Sequence, residues 1–264
     1  MKLLLLSAAL LVPALYAQDW AKQKLEKSSR HREWVKVQHD GRSVDAYIVY
    51  PEVSRKAPVV LVIHEIFGLS DWAQLAADEF AAAGYIAIAP DLLSGTGPNG
   101  GGTKSLGNDN TAVGQAIRDL PPDQITADLN AAADYALKQP AANGNLYVAG
   151  FCYGGGQSFR YATNRPDLKA AFVFYGTPPS DGLDRIKAPV YGFYGGNDAR
   201  VTATVDPTKE KMKAAGKKYD AVVYEGAGHG FMRGGEDPTA QTPSHPADIK
   251  ARDEAWKVLR AEIK

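Results

Sequence analysis

Gly150-Phe151-Cys152-Tyr153-Gly154-Gly155-Gly156 is the stretch on which the fold turns. An apolar run, Leu146 to Ala149, leads into it, and a helix-compatible segment, Gln157 to Ala162, leads out. The pattern is strand, sharp turn, helix, with the only cysteine of the 264-residue chain at the apex. It is the G-x-nucleophile-x-G elbow, with cysteine where serine usually sits. Gly150 and Gly154 flank a turn that forces the nucleophile into a strained conformation. A Cβ at either position would crowd the neighbouring strand and helix. The helix opening near Tyr153 aims backbone N–H groups and its positive end at the sulfur. That favours the thiolate and supplies an oxyanion donor. A lone cysteine in a Gly-rich turn can also be a buried structural residue. The glycine spacing, the strand before it and the partners named below favour the nucleophile.

Outward from the elbow, the strands come in buried runs. Pro58 to Ile63, Tyr85 to Ala89, Ala170 to Tyr175, Pro189 to Tyr194 and Ala221 to Tyr224 are apolar or nearly so, as in strands of a parallel sheet covered on both faces. Trp34 to His39 and Ser43 to Tyr50 alternate around Asp40-Gly41, a hairpin signal. Helices are expected over Asp71 to Ala83, capped by Ser70 and stopped by Gly84, and over Asp123 to Gln139, Lys209 to Ala215 and Ala247 to Ile263. Asp19 to Arg32 reads as a surface helix or linker. Ser94 to Asn110 contains the run Gly95-Thr96-Gly97-Pro98-Asn99-Gly100-Gly101-Gly102, has no periodicity and is expected to be mobile, as a lid or a plain loop. The alternation gives an α/β fold with a mostly parallel sheet of about eight strands and helices on both faces.

Composition excludes some functions. Lys and Arg together number 30, as do Asp and Glu, with no basic stripe, so nucleic acid is not an expected partner. Met1 to Ala17 reads as a secretory signal peptide: Lys2, an apolar core from Leu3 to Val12, and a small residue at Ala17. The core is too short for a membrane span, which needs ~20 residues. The expected mature chain is 18–264, one domain, periplasmic or secreted, without stable membrane insertion and monomeric. An unpaired thiol in an oxidising compartment is easier to explain if it reacts. No zinc-like cluster or cofactor motif is evident, so neither metal nor cofactor is expected.

Cys152, Asp198 and His229 follow one another in that order, each just after an expected strand. This is the nucleophile–acid–histidine order of the α/β-hydrolase fold. His229 would act as general base and acid, and Asp198 would hold its tautomer. Asp181, Asp184 and Asp206 are weaker acids because none directly follows a strong strand. His31, His39 and His245 are expected at the surface.

At these residues the chain resembles the dienelactone hydrolase (carboxymethylenebutenolidase) family of the α/β-hydrolase superfamily, from about Val44 to the C-terminus. The resemblance rests on Glu65-Ile66-Phe67-Gly68, Gly150 to Gly155, Tyr194-Gly195-Gly196-Asn197-Asp198 and His229-Gly230-Phe231. It implies a Cys152–His229–Asp198 triad. It also implies that Glu65 contacts the resting thiol and helps to form the thiolate, and that Arg233 pairs with that glutamate and binds a substrate carboxylate. The oxyanion hole is expected from the N–H groups of Ile66 and Tyr153. Arg118 is the nearest candidate for the family's second substrate arginine. His64 stands where the family type has glutamine.

The expected function is an exported cysteine hydrolase of small, preferentially anionic, esters or lactones. The alternatives are a broad carboxylesterase or a small-amide or peptide hydrolase with the same triad, a non-catalytic binding protein on this fold, and a thiol-redox protein. The last would call for a resolving cysteine that the chain lacks.

Overall fold

The structure is a computed structural model that describes residues 19–107 and 110–262. The expected signal peptide lies outside these residues. Within them no helix is long and apolar enough to cross a membrane.

The charged N-terminal segment folds as α1 (Asp19–Glu26), which turns Trp20, Ala21 and Leu25 inward. β1 (Arg32–His39) and β2 (Arg42–Val49) form the expected hairpin, with His39 opposite Arg42. Its two turn residues, Asp40 and Gly41, both have positive φ, as a tight hairpin turn requires. β3 (Ala57–Ile63) is buried along its whole length. Val59, Leu61 and Ile63 enter one core cluster and Val60 and Val62 the other, so both faces of the strand are covered. α2 (Asp71–Ala82) starts at Ser70, whose Oγ accepts from the Ala73 N–H at 3.4 Å. β4 (Ile86–Pro90) follows.

Next come α3 (Asn110–Arg118), α4 (Pro122–Leu137), β5 (Ala142–Phe151), α5 (Tyr153–Asn164) and β6 (Leu168–Phe174). The chain ends with β7 (Val190–Gly195), α6 (Ala199–Thr202), α7 (Val205–Ala214), β8 (Tyr219–Tyr224), α8 (Phe231–Gly234) and α9 (His245–Glu262). The eight strands form one sheet in the order β1-β2-β4-β3-β5-β6-β7-β8. The β1/β2 and β2/β4 pairings are antiparallel and the remaining ones parallel. Trp72, Phe80 and Trp256, from α2 and α9, pack on one face; Leu129, Phe159 and Met212, from α4, α5 and α7, pack on the other.

This order places the site. The chain steps from β3 outward to β4 and then returns to β5 on the other side of β3. A crevice opens at such a reversal, outside the carboxyl ends of the strands. Ile63 lies opposite Gly150, so the loop beginning at His64 and the elbow at Cys152 emerge side by side.

The Gly-rich segment is built rather than loose. It contains two short 3₁₀ turns, Pro98–Gly100 and Thr103–Leu106. Asp91, just after β4, accepts from the Thr103 N–H at 2.7 Å and from the Thr103 hydroxyl at 2.7 Å. The same hydroxyl accepts from the Leu69 N–H at 3.0 Å, which fastens the segment to the loop after β3. Helix α3 was not expected; it is short and buries one narrow face, Val113, Gly114 and Ile117.

Candidate active site

Cys152 occupies the turn between β5 and α5 with φ 54° and ψ −113°, a conformation that costs a non-glycine residue ~1–3 kcal/mol. The surroundings hold it there. Its N–H donates to Phe174 O at 3.0 Å, and its carbonyl accepts from the Gly156 N–H at 3.2 Å. The glycines are needed for close approach: a Cβ on Gly150 would stand 1.9 Å from Gly154 O, and one on Gly154 2.2 Å from Ile63 O. Helix α5 begins at Tyr153, as expected, and runs through the glycines.

Three strand ends deliver the other groups. Asp198 follows β7, and His229 lies in the loop after β8. His229 Nε2 lies 3.1 Å from Cys152 Sγ, and its Nδ1 lies 2.5 Å from Asp198 Oδ2. The Asn197 N–H donates to Ala227 O at 2.9 Å and the Asn197 side chain to Gly226 O at 2.8 Å, which ties the acid loop to the histidine loop. The hydrogen bond to Cys152 raises the His229 pKa to about 9, against the effect of burial and with Asp198 adding to the rise.

Glu65 follows β3 and is buried. Arg233, at the last turn of the site segment, donates from Nε to Glu65 Oε2 at 3.0 Å. Its guanidinium lies over the Phe67 ring, 5.5 Å from the centroid. No other hydrogen bond to that guanidinium occurs among the described residues. Gly230, at φ 78°, makes the turn between His229 and Arg233. The expected contact of Glu65 with the thiol is not present: Sγ turns to His229, and Glu65 turns to Arg233.

Two backbone donors border the elbow. The Tyr153 N–H is at the first position of α5 and has no intrahelical acceptor. The Ile66 N–H has no acceptor among the described residues. Arg118 is exposed at the end of α3 and folds back over Gly114. A Cβ on Gly114 would be 3.6 Å from its terminal nitrogens and 3.5 Å from Ile66 Cγ1. The structure thus brings Arg118 beside the Ile66 side chain.

His64 is fully buried, and burial pushes its pKa down. Nδ1 donates to Glu65 O at 2.8 Å and Nε2 accepts from the Leu92 N–H at 3.4 Å, so the neutral ring fixes the loop that carries Glu65 and Ile66.

Tyr175 was missed. It follows β6 directly, has φ 43°, and stacks edge-on against His229 with ring centroids 5.1 Å apart. Its buried hydroxyl has no hydrogen-bond partner, and the Glu65 carboxylate beside it does not reach bonding geometry. Burial holds the phenol well above its ordinary range, with Glu65 and Cys152 adding and Arg233 opposing. Its strand-end position was visible in sequence, but a tyrosine there is common in any core.

Two histidines correct the surface expectation. His39 is largely buried, with Nε2 2.7 Å from Asp128 Oδ1. His245 is half-buried, and its Nδ1 donates to Gly234 O at 2.9 Å. Among the described residues no group of three His, Cys, Asp or Glu side chains is arranged to hold a metal ion.

Comparison with known proteins places this geometry in context. The family model described as "Dienelactone hydrolase family" matches residues 44–261. A protein of Methylorubrum extorquens named "Putative carboxymethylenebutenolidase" is 34% identical over 239 residues, covering 86% of this chain and 78% of that one. A protein of the same name from Escherichia coli is 32% identical over 205 residues, covering 72% of this chain and 74% of that one. The crystal structure of a "Putative Dienelactone Hydrolase" from Klebsiella pneumoniae superposes with a TM-score of 0.75 at 26% identity, covering 89% of this chain and 98% of that one.

Proposed function

The chain belongs to the dienelactone hydrolase family and is a hydrolase acting on ester bonds; from that premise we propose that it is an exported cysteine hydrolase of small, preferentially anionic, esters or lactones. The observation that carries the proposal is the contact of His229 Nε2 with Cys152 Sγ at 3.1 Å, made from a strained elbow and backed by Asp198. The reading of Met1 to Ala17 as a signal peptide supports a periplasmic or secreted enzyme.

The raised His229 pKa favours an imidazolium at neutral pH. In the first half-reaction the Cys152 sulfur attacks the carbonyl carbon. The oxyanion takes hydrogen bonds from the N–H groups of Ile66 and Tyr153. Collapse breaks the C–O bond, leaves an acyl-thioester, and the leaving alkoxide takes the proton from His229 Nε2. With a lactone the leaving oxygen stays on the acyl chain. In the second half-reaction neutral His229 takes a proton from water, the hydroxide attacks the thioester, and thiolate is expelled. Asp198 holds the Nδ1–H tautomer throughout.

Arg233 supplies charge selection. Its terminal nitrogens are free to meet a substrate carboxylate, for which a guanidinium fork is suited. Arg118 offers a second cation on the Ile66 side of the crevice.

Acid-quenched mass spectrometry during turnover of a carboxylate-bearing lactone tests this reading. The expected result is Cys152 carrying the mass of the acyl group. A steady-state reaction at full rate with no adduct, undiminished in Cys152→Ala, would overturn it.

A further inference from the structure

His229 and Arg233 belong to one short segment, 228–236, which lies along α9; at its far end Glu236 also accepts from Lys24 Nζ of α1 at 2.6 Å and from Trp72 Nε1 of α2 at 3.1 Å. Asp248, in the first turn of α9, accepts from the Gly228 N–H through Oδ1 at 2.7 Å. Gly228 immediately precedes His229. At the far end, the His245 ring donates to Gly234 O at 2.9 Å, and Gly234 immediately follows Arg233. One turn further along α9, Arg252 lies 3.5 Å from Glu236 Oε1. The segment lies directly against the helix: a Cβ on Gly235 would stand 2.5 Å from Asp248 O, and one on Gly234 3.1 Å from Asp248 Oδ2.

Asp248 is the unusual member. It is 4% exposed and has no cationic partner among the described residues. Its bonds go to the Gly228 N–H and, through Oδ2, to the Ser244 hydroxyl at 3.0 Å. A buried carboxylate is costly unless hydrogen bonds and a favourable dipole compensate. Here both are present, and the N–H it binds belongs to the residue immediately before the one that carries the imidazole. His229 has to meet Sγ on one side and Asp198 on the other, and its other immediate neighbour is Gly230 in the left-handed region. Asp198, Cys152 and Tyr175 meet the ring itself, while glycine stands on both sides of the histidine in the chain, so the Asp248 bond is what fixes the backbone just before it.

We propose that Asp248 is a positioning residue for His229, acting through the Gly228 N–H, and that α9 mounts His229 and Arg233 as one unit. The proposal rests on the role given to His229 above. It separates Asp248 from the triad itself, since Asp248 touches neither substrate nor imidazole.

The test is the kcat on a neutral ester, per active site counted by Cys152 alkylation, for Asp248→Ala, Asp248→Asn and His229→Ala, with folding followed by thermal melting. Misplacing a catalytic group by about 1 Å costs up to ~10²-fold. Asp248→Ala is therefore expected to lower kcat per folded site by roughly 10–100-fold with KM within about 3-fold. Asp248→Asn keeps an oxygen for the Gly228 N–H and is expected to recover most of the rate. The ring titration of His229, followed by NMR, should fall in the alanine variant and hold in the asparagine variant. If Asp248→Ala does not fold, Asp248→Ser carries the same test, because its hydroxyl is too short to reach Gly228. A full rate per site in Asp248→Ala, or equal losses in Ala and Asn, overturns the assignment. Loss in His229→Ala beside a full rate in Asp248→Ala overturns the Asp248 role alone; a full rate in His229→Ala overturns the catalytic reading as well.

Discussion

Asp198–His229 and Glu65–Arg233 are two carboxylate–cation pairs built from similar parts, and they differ in what each cation has left over. Both cations come from the segment after β8, four residues apart, and both carboxylates come from loops that follow strands. The imidazole has two nitrogens, and both are engaged: one by Asp198, the other by Cys152 Sγ. The guanidinium uses only Nε on Glu65 and keeps its terminal nitrogens over Phe67. An imidazole held at Nδ1 by a carboxylate and placed at the sulfur through Nε2 can move a proton to a leaving group or from water at that point. A guanidinium in reserve can receive an anion. On the proposed reading the first pair serves bond making and the second selection.

The largest effect should come from the point where the first pair meets the sulfur. Cys152→Ala is expected to lower kcat by roughly 10⁴-fold or more on neutral and anionic esters alike. Alanine keeps a Cβ and therefore the same backbone conformation at φ 54°, so the protein should stay folded. Steady-state assays beside a melting curve check both halves.

A second way to sharpen the contrast is to titrate the imidazole. His229 should titrate near pH 9, and in Cys152→Ala its value should fall toward 6.5, because the bond to the sulfur is the largest cause of the rise. The folded value lies above the unfolded one. Stability from this group is therefore fully present below about 6.5 and is lost as pH rises through about 9. NMR of the ring protons across pH 5–10 reads it; a value unchanged in Cys152→Ala would break the link.

A smaller effect is expected at the loop that carries Glu65. Thr103→Val removes the hydroxyl that accepts from the Leu69 N–H and donates to Asp91. A buried donor left unmatched costs ~1–3 kcal/mol. The melting temperature should fall by several degrees, and kcat should fall by only a few-fold on either substrate.

What the sequence revealed follows the same division. The elbow, the order of the triad and the parallel sheet were readable because glycines, apolar runs and strand ends leave local marks. Glu65 and Arg233 could be paired only through the family resemblance, since 168 residues separate them. Tyr175 and Asp248 carried no distinguishing mark: one, though at a strand end, looks like a core tyrosine, the other like a charge on a surface helix. Helix α3 was hidden because its few buried residues follow a glycine-rich stretch that suggests irregular chain. The expected mobility of that stretch overlooked a partner, Asp91, placed twelve residues before Thr103.

The most direct test of the division is one ratio: kcat/KM for a carboxylate-bearing ester over kcat/KM for its neutral isostere, in wild type, Asp198→Asn and Arg233→Met. The account predicts that Asp198→Asn lowers both terms by about 10³–10⁴-fold and leaves the ratio within about 3-fold. It predicts that Arg233→Met collapses the ratio by roughly ten-fold or more through KM for the anionic ester, with the neutral ester nearly unaffected. A ratio that falls in Asp198→Asn, or equal losses on both esters in Arg233→Met, would contradict it.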